Sequence, residues 1–230
     1  MSKVKVLFLA ANPDGAQPLK LDEEIRQITA KIRASEHRDS LELVSRWAVR
    51  PDDLHQALLE VKPHVVHFSG HGRPVSGPTS EGAGARDLGL ASPPLGSELI
   101  VLDEQGKPKP VGSSALVHLF RTLQDNIRVV MLNACCSRAQ AEALAETIDC
   151  TIGMNRPISD AAAIVFAASF YRALGFGRSV REAFELGRAA LLLEGIPEEQ
   201  TPELLTRCGV DAGGLVLVAP QALEGPRDPR

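Results

Sequence analysis

Apolar residues along the chain alternate between short unbroken runs and stripes at helical spacing. Residues 3–10, apolar apart from Lys3 and Lys5 and containing β-branched and aromatic side chains, show the pattern of a strand covered on both faces. The run ends at Asn12-Pro13-Asp14-Gly15. Leu21, Ile25, Ile28 and Ile32 then recur at intervals of four, three and four, predicting a helix whose first turn carries Asp22, Glu23 and Glu24, favourable to its N-terminal dipole. Residues 41–49 read as a second strand. Pro51 opens a helix with Leu54, Leu58 and Val61 inward. A third strand, 65–68, runs into Ser69-Gly70-His71-Gly72.

The stretch 73–94 is rich in Gly, Pro and Ser and reads as a long loop beside the end of the third strand, expected to be mobile in a resting state. Residues 98–102 and 108–111 flank Asp103-Glu104-Gln105-Gly106 as a hairpin, and Ser113 caps a helix carrying Leu116, Leu119, Phe120 and Leu123. A fourth sheet strand, 128–132, delivers Asn133-Ala134-Cys135-Cys136-Ser137 to a helix with Ala141, Leu144, Ala145 and Ile148 on one side. A fifth strand at 150–154, helices at 161–175 and 180–193, and a last short strand at 215–218 complete the pattern. Pro226 and Pro229 lie in a polar tail, 220–230, expected to be disordered.

These elements predict an α/β fold: a doubly wound, mostly parallel six-stranded sheet with helices on both faces and strand order 2-1-3-4-5-6. At 230 residues and 44% hydrophobic the chain can bury a full core, so residues 1–219 are expected to form one domain. A formal net charge of −4 with dispersed basic residues gives no electrostatic footprint for nucleic acid or an anionic membrane. No apolar run approaches the roughly 18 residues of a membrane span, and the short apolar opening does not read as a secretory signal, so a cytoplasmic location is expected. Cys135, Cys136, Cys150 and Cys208 do not form a disulfide framework and are expected to be reduced.

In that strand order the third and fourth strands are neighbours, placing His71 and Cys135 at the same C-terminal edge, where open α/β sheets bind ligands. A thiol attacks an amide as thiolate, and a histidine within reach takes its proton and later protonates the leaving amine. His71 and Cys135 fit those roles as base and nucleophile. Gly72, lacking a Cβ, can bring its N–H to a substrate carbonyl, and with the N–H of Cys135 would make an oxyanion hole. Other readings stay open: an interaction scaffold with an idle dyad, or an α/β module sensing a small ligand, although no phosphate-cradling glycine motif is present. A zinc site from His67, His71, Cys135 and Cys136 is disfavoured, because two histidines four apart on a strand stand about 13 Å from one another.

The segments VVHFSGHG (65–72) and VVMLNACCS (129–137) resemble the histidine and cysteine motifs of the CHAT-type caspase-like proteases, relatives of separase and the metacaspases. FLAANPD (8–14), RPDDLHQAL (50–58) and FYRALGFGRSVREAFELG (170–187) extend the likeness over residues 3–194. The resemblance implies a caspase-hemoglobinase fold, no cofactor or metal, and hydrolysis of protein or peptide substrates through an acyl-thioenzyme, with His71 as base and Cys135 as nucleophile. It further implies a regulated effector of bacterial defence or signalling, switched on by an activating partner or signal. Cys136 departs from the family pattern, where an aromatic is common, and leaves a choice of nucleophile. Asn133 stands two before the nucleophile, a position that lines the P1 pocket and is Asp in the Arg/Lys-cutting metacaspases, so a basic P1 preference is not implied by it. Asp14 and Asp160, on loops around the same edge, are candidates for an acidic pocket.

Overall fold

The computed structural model describes residues 3–75 and 96–218. Its frame is one twisted sheet in which β1 (Val4–Ala11) lies between β2 (Leu41–Arg46) and β3 (Val65–Pro74). Beyond β3 come β4 (Ser97–Leu102), β5 (Pro108–Gly112), β6 (Val129–Asn133), β7 (Cys150–Met154) and β8 (Pro202–Thr206) in chain order. The principal path runs β2-β1-β3-β6-β7-β8, with β4 and β5 forming a hairpin attached to the far end of β3. The first five strands of that path pair in parallel; β8 closes the edge antiparallel to β7.

Among the described residues six α-helices cover the two faces, as two-sided burial of parallel strands requires. They are α1 (Leu21–Arg33), α2 (Pro51–Val61), α3 (Ser113–Thr122), α4 (Arg138–Leu144), α5 (Asp160–Gly175) and α6 (Val180–Leu193). The alternation of strand side chains divides the core in two. Val6, Phe8, Val65, Met131 and Ile152 meet α1, α5 and α6 on one face. Leu7, Leu9, Val66, Phe68, Val130 and Leu132 meet α2, α3 and α4 on the other.

The expected fold class and the order of the first five sheet strands hold. Three expectations are corrected. The sixth strand is Pro202–Thr206 and not 215–218; the latter segment buries Val218 and packs Leu215 and Leu217 against the α5–α6 face, while the Leu215 carbonyl accepts the Val180 N–H at the start of α6 (2.9 Å). The third strand does not stop at 68 but continues to Pro74, because the hairpin offers it a second set of partners. Residues 73 and 74 of the expected loop are therefore strand, and the Val75 N–H donates to the Gly96 carbonyl (2.9 Å); residues 76–94 of that loop, and the tail 220–230, lie outside the described residues.

The β7 edge is anchored by Asp149, only 6% exposed, whose carboxylate receives Arg207 (Nη2 to Oδ1, 2.6 Å) and Arg128. Burial alone would raise the Asp149 pKa; hydrogen bonds from Arg207 and Arg128 outweigh it and hold the carboxyl below its ordinary value of 3.8. A group with a lowered folded pKa contributes stability above its unfolded pKa and loses it as pH falls through the folded value. The protein should therefore lose stability to acid below about pH 4 with a component that Asp149→Asn removes, measured as the melting temperature from pH 7 down to pH 2.5.

Candidate active site at the ends of β3 and β6

β3 and β6 pair so that Ser69 lies opposite Asn133 on the face covered by α1. His71 is two residues past Ser69 and Cys135 two past Asn133, so both candidates emerge at the C-terminal end of the same face. Together with Ser69, Gly70, Asn133 and Asp160 they line one pocket, roofed by the first turns of α1 and α5. The space within it that water can enter is small, about 40 Å³, room for a few water molecules.

His71 is held by the hairpin. It is the register partner of Ile100 in an antiparallel pair, and its Nε2 lies 2.9 Å from the backbone carbonyl of Gln17. A carbonyl only accepts, so Nε2 carries the hydrogen; in the neutral ring the lone pair is on Nδ1, which is thereby the basic nitrogen.

The cysteine loop is held from below. Ser137, 1% exposed, donates its hydroxyl to the Leu132 carbonyl (2.7 Å) and accepts the Met154 N–H (3.0 Å), tying the end of β6 to β7. Cys135 directs its thiol toward the Ile158 carbonyl at 4.0 Å. Cys136 sits in the left-handed region, φ 57°, uncommon for a side chain with a Cβ. Burial, and secondarily the neighbouring Cys135, raise its thiol pKa above 9.0, which disfavours the thiolate.

Gly72 couples the two loops. A Cβ at this position would overlap the backbone carbonyl oxygen of Cys135 and lie 3.3 Å from the Ala134 Cβ, so only glycine permits β3 and the cysteine loop to meet this closely. Gly70 is similarly confined: its Cβ would stand 2.7 Å from the Ala11 carbonyl.

The expected acidic residues separate. Asp160 opens α5 behind the cap of Ser159, whose hydroxyl accepts the Ala162 N–H (3.2 Å), and it borders the pocket. Asp14 does not. Its N–H donates to the Gly106 carbonyl (2.9 Å) and its carboxylate stands 3.9 Å from Lys107, so it is an exposed partner of the β4–β5 turn. The hairpin, folding across the end of β1, draws this loop away from the pocket.

A further acid lines the pocket instead. Glu24, 2% exposed, receives the Ser69 hydroxyl on Oε2 (2.5 Å) and the Asn133 amide on Oε1 (2.6 Å). His67 Nε2 lies 3.2 Å from the same Oε1, near enough for an ion pair though not aligned as a hydrogen bond. His67 is fully buried, stacked on Tyr171 (5.7 Å) and edge-on to Phe8 (5.0 Å). It belongs to the packing around Glu24. The sequence signal was present: Leu21, Glu24, Ile28 and Ile32, at intervals of three, four and four, are the buried stripe of α1, and Glu24 is the charged residue on it. The acidic first turn masked it as a dipole contribution.

Comparison with known proteins agrees with this architecture. The CHAT domain family matches residues 2–201. A Roc-COR-CHAT protease from an unknown prokaryotic organism is 24% identical over 85% of this chain and 17% of its own length. A probable protease from Gillisia limnaea is 21% identical over 76% of this chain and 27% of its own length. The chain thus spans about a sixth to a quarter of the length of these relatives. Among solved structures, a secreted C11 cysteine protease from Bacteroides thetaiotaomicron, bound to an irreversible peptide inhibitor, superposes with a TM-score of 0.60 at 10% identity, over 89% of this chain and 66% of that one. The fold is therefore that of a caspase-like cysteine protease, and the chain belongs to the CHAT domain family.

Proposed function

We propose that this chain is a cysteine endopeptidase domain acting through Cys135 and His71. The observation that carries the reading is that both residues line one pocket while the glycine after the histidine packs directly on the backbone of the cysteine. That the relatives are named proteases supports it.

In this mechanism His71 Nδ1 takes the proton of the Cys135 thiol as sulfur attacks the scissile carbonyl carbon. The resulting oxyanion is received by the backbone N–H groups of Gly72 and Cys135. Collapse breaks the C–N bond, and the departing amine takes the proton from Nδ1, leaving a thioester on Cys135. Water, deprotonated by Nδ1, attacks the thioester; the acid leaves and the sulfur recovers its proton. The hydrogen bond from Nε2 to Gln17 steadies the ring through both transfers. No cofactor or metal enters any step. Asn133 and Asp160 contribute to the wall that holds the substrate side chain.

The biological setting belongs to the same reading: a regulated effector of bacterial defence or signalling in the cytoplasm, acting on a protein substrate after an activating partner or signal engages it. In the structure the thiol is turned to the Ile158 carbonyl and the imidazole to Gln17, an arrangement consistent with a resting state.

A peptidyl chloromethyl ketone library provides the test. Peptide mapping by mass spectrometry should find the adduct on Cys135, not on Cys136, Cys150 or Cys208, and His71→Ala should slow its formation sharply. Equal labelling of all four thiols, insensitive to His71, would remove the support for an activated nucleophile.

A further inference from the structure

One charged group beside the reacting pair takes no part in the chemistry proposed above. Glu24 is 2% exposed, and a buried carboxylate is costly unless its oxygens are paired. Its partners come from the two strands of the site. Oε2 accepts the Ser69 hydroxyl (2.5 Å) and Oε1 accepts the Asn133 amide (2.6 Å). Ser69 stands two residues before His71 on β3; Asn133, its register partner, ends β6 two residues before Cys135. On the helix side, the Glu24 N–H donates to the Lys20 carbonyl (3.0 Å). Three residues further back is Gln17, whose carbonyl accepts the His71 Nε2–H (2.9 Å). No side chain among the described residues caps this end of α1, so Glu24 supplies its polar attachment to the sheet.

We infer that Glu24 is a positioning residue: it ties the first turn of α1 to the strand of the base and the strand of the nucleophile at once, and so keeps the Gln17 carbonyl opposite His71. This rests on the endopeptidase reading above and deepens it. The hydrogen bonds of the Glu24 side chain go to neither His71 nor Cys135. It acts through Gln17, because the hydrogen bond at one ring nitrogen decides which nitrogen keeps the lone pair. With Gln17 in place Nδ1 is the base; with the turn released the ring rotates and samples both tautomers. The role depends on hydrogen bonds and shape more than on charge. A glutamine can serve it, its Oε1 accepting from Asn133 and its Nε2 donating to the Ser69 hydroxyl oxygen.

Imidazole nitrogen NMR and steady-state kinetics test this together. Glu24→Ala should convert His71 from the single Nε2–H tautomer to a mixture. Its kcat should fall by about 10²-fold, the loss for a reacting group displaced by about 1 Å, while KM changes by no more than about threefold. Glu24→Gln should restore the single tautomer and most of kcat. Ile28→Ala, which truncates a fully buried side chain one turn further along α1, should lower the melting temperature and leave tautomer and kcat as they are. Should Glu24→Ala fold poorly, Ser69→Ala removes one of the two grips. It should show the same spectral change and lose about tenfold in kcat, the scale of one charge-assisted hydrogen bond; no change in either would overturn the inference. A Glu24→Ala protein that melts lower but keeps its tautomer and kcat would overturn it and leave the peptidase intact. So would a Glu24→Gln protein as impaired as Glu24→Ala, or a loss carried by KM alone. The tautomer mixture appearing as expected, in a protein that cuts no peptide, would uphold the positioning role and count against the peptidase reading.

Discussion

Cleavage of a peptide substrate should fall by about 10⁴-fold or more in Cys135→Ala, the loss expected when the nucleophile of a concerted set is removed. His71→Ala should lose about 10²–10⁴-fold, the share of a positioned general base. The informative arm is the neighbouring thiol. Cys136 lies at φ 57°, and its pKa is pushed up by burial and then by Cys135, so it is poorly placed to act as thiolate at neutral pH. Cys136→Gly suits the left-handed backbone and removes that thiol, and should keep most of the activity. Steady-state kinetics on the three variants decides between the two cysteines. Activity surviving in Cys135→Ala but lost in Cys136→Gly would transfer the nucleophile to position 136 and undo the proposed geometry.

The second large effect is expected at a residue with no side chain. Gly72→Ala places a methyl group on the Cys135 carbonyl oxygen, a rigid backbone atom that cannot rotate away. Either β3 or the cysteine loop must shift, and the loop is fastened through Ser137 to Leu132 and Met154. A displacement near 1 Å in a reacting group costs about 10²-fold in rate, and overpacking of this kind costs about 1–3 kcal/mol in stability. Thermal unfolding and kcat should both respond. Gly112→Ala is the control, since a Cβ there meets nothing within 4 Å. A Gly72→Ala protein with full activity would show that the approach of the two loops is not needed.

What could be read from the sequence followed physical signal strength. The parallel strands announced themselves because two-sided burial leaves unbroken apolar runs, and the strand order then put His71 and Cys135 at one edge. The antiparallel edge strand gave no such run: Pro202-Glu203-Leu204-Leu205-Thr206 is short, begins with proline and is half-buried, whereas 215–218 is apolar because it packs, not because it pairs. The reach of β3 past Phe68 was hidden by its two glycines, which read as a turn but serve close approach. Asp14 and Glu24 show the same limit from opposite sides. Loop position suggested the first for the pocket and helix position suggested the second for the dipole, and only the packing of α1 and of the hairpin reverses them.

The double employment of β3 has one more consequence. Val65–Ser69 take their alignment from β1 and β6, but His71–Pro74 take theirs from β4. The imidazole thus stands just past the joint between two ladders, one parallel and one antiparallel. Side chains alternate with a period of two, so a slip of one residue in the second ladder would give His71 and Gly72 new cross-strand neighbours while the first stayed intact. Such a slip would also take Leu99 and Val101 out of the core they share with Leu54, Phe68 and Leu116, so the burial that stabilises the hairpin is also what holds the base in place.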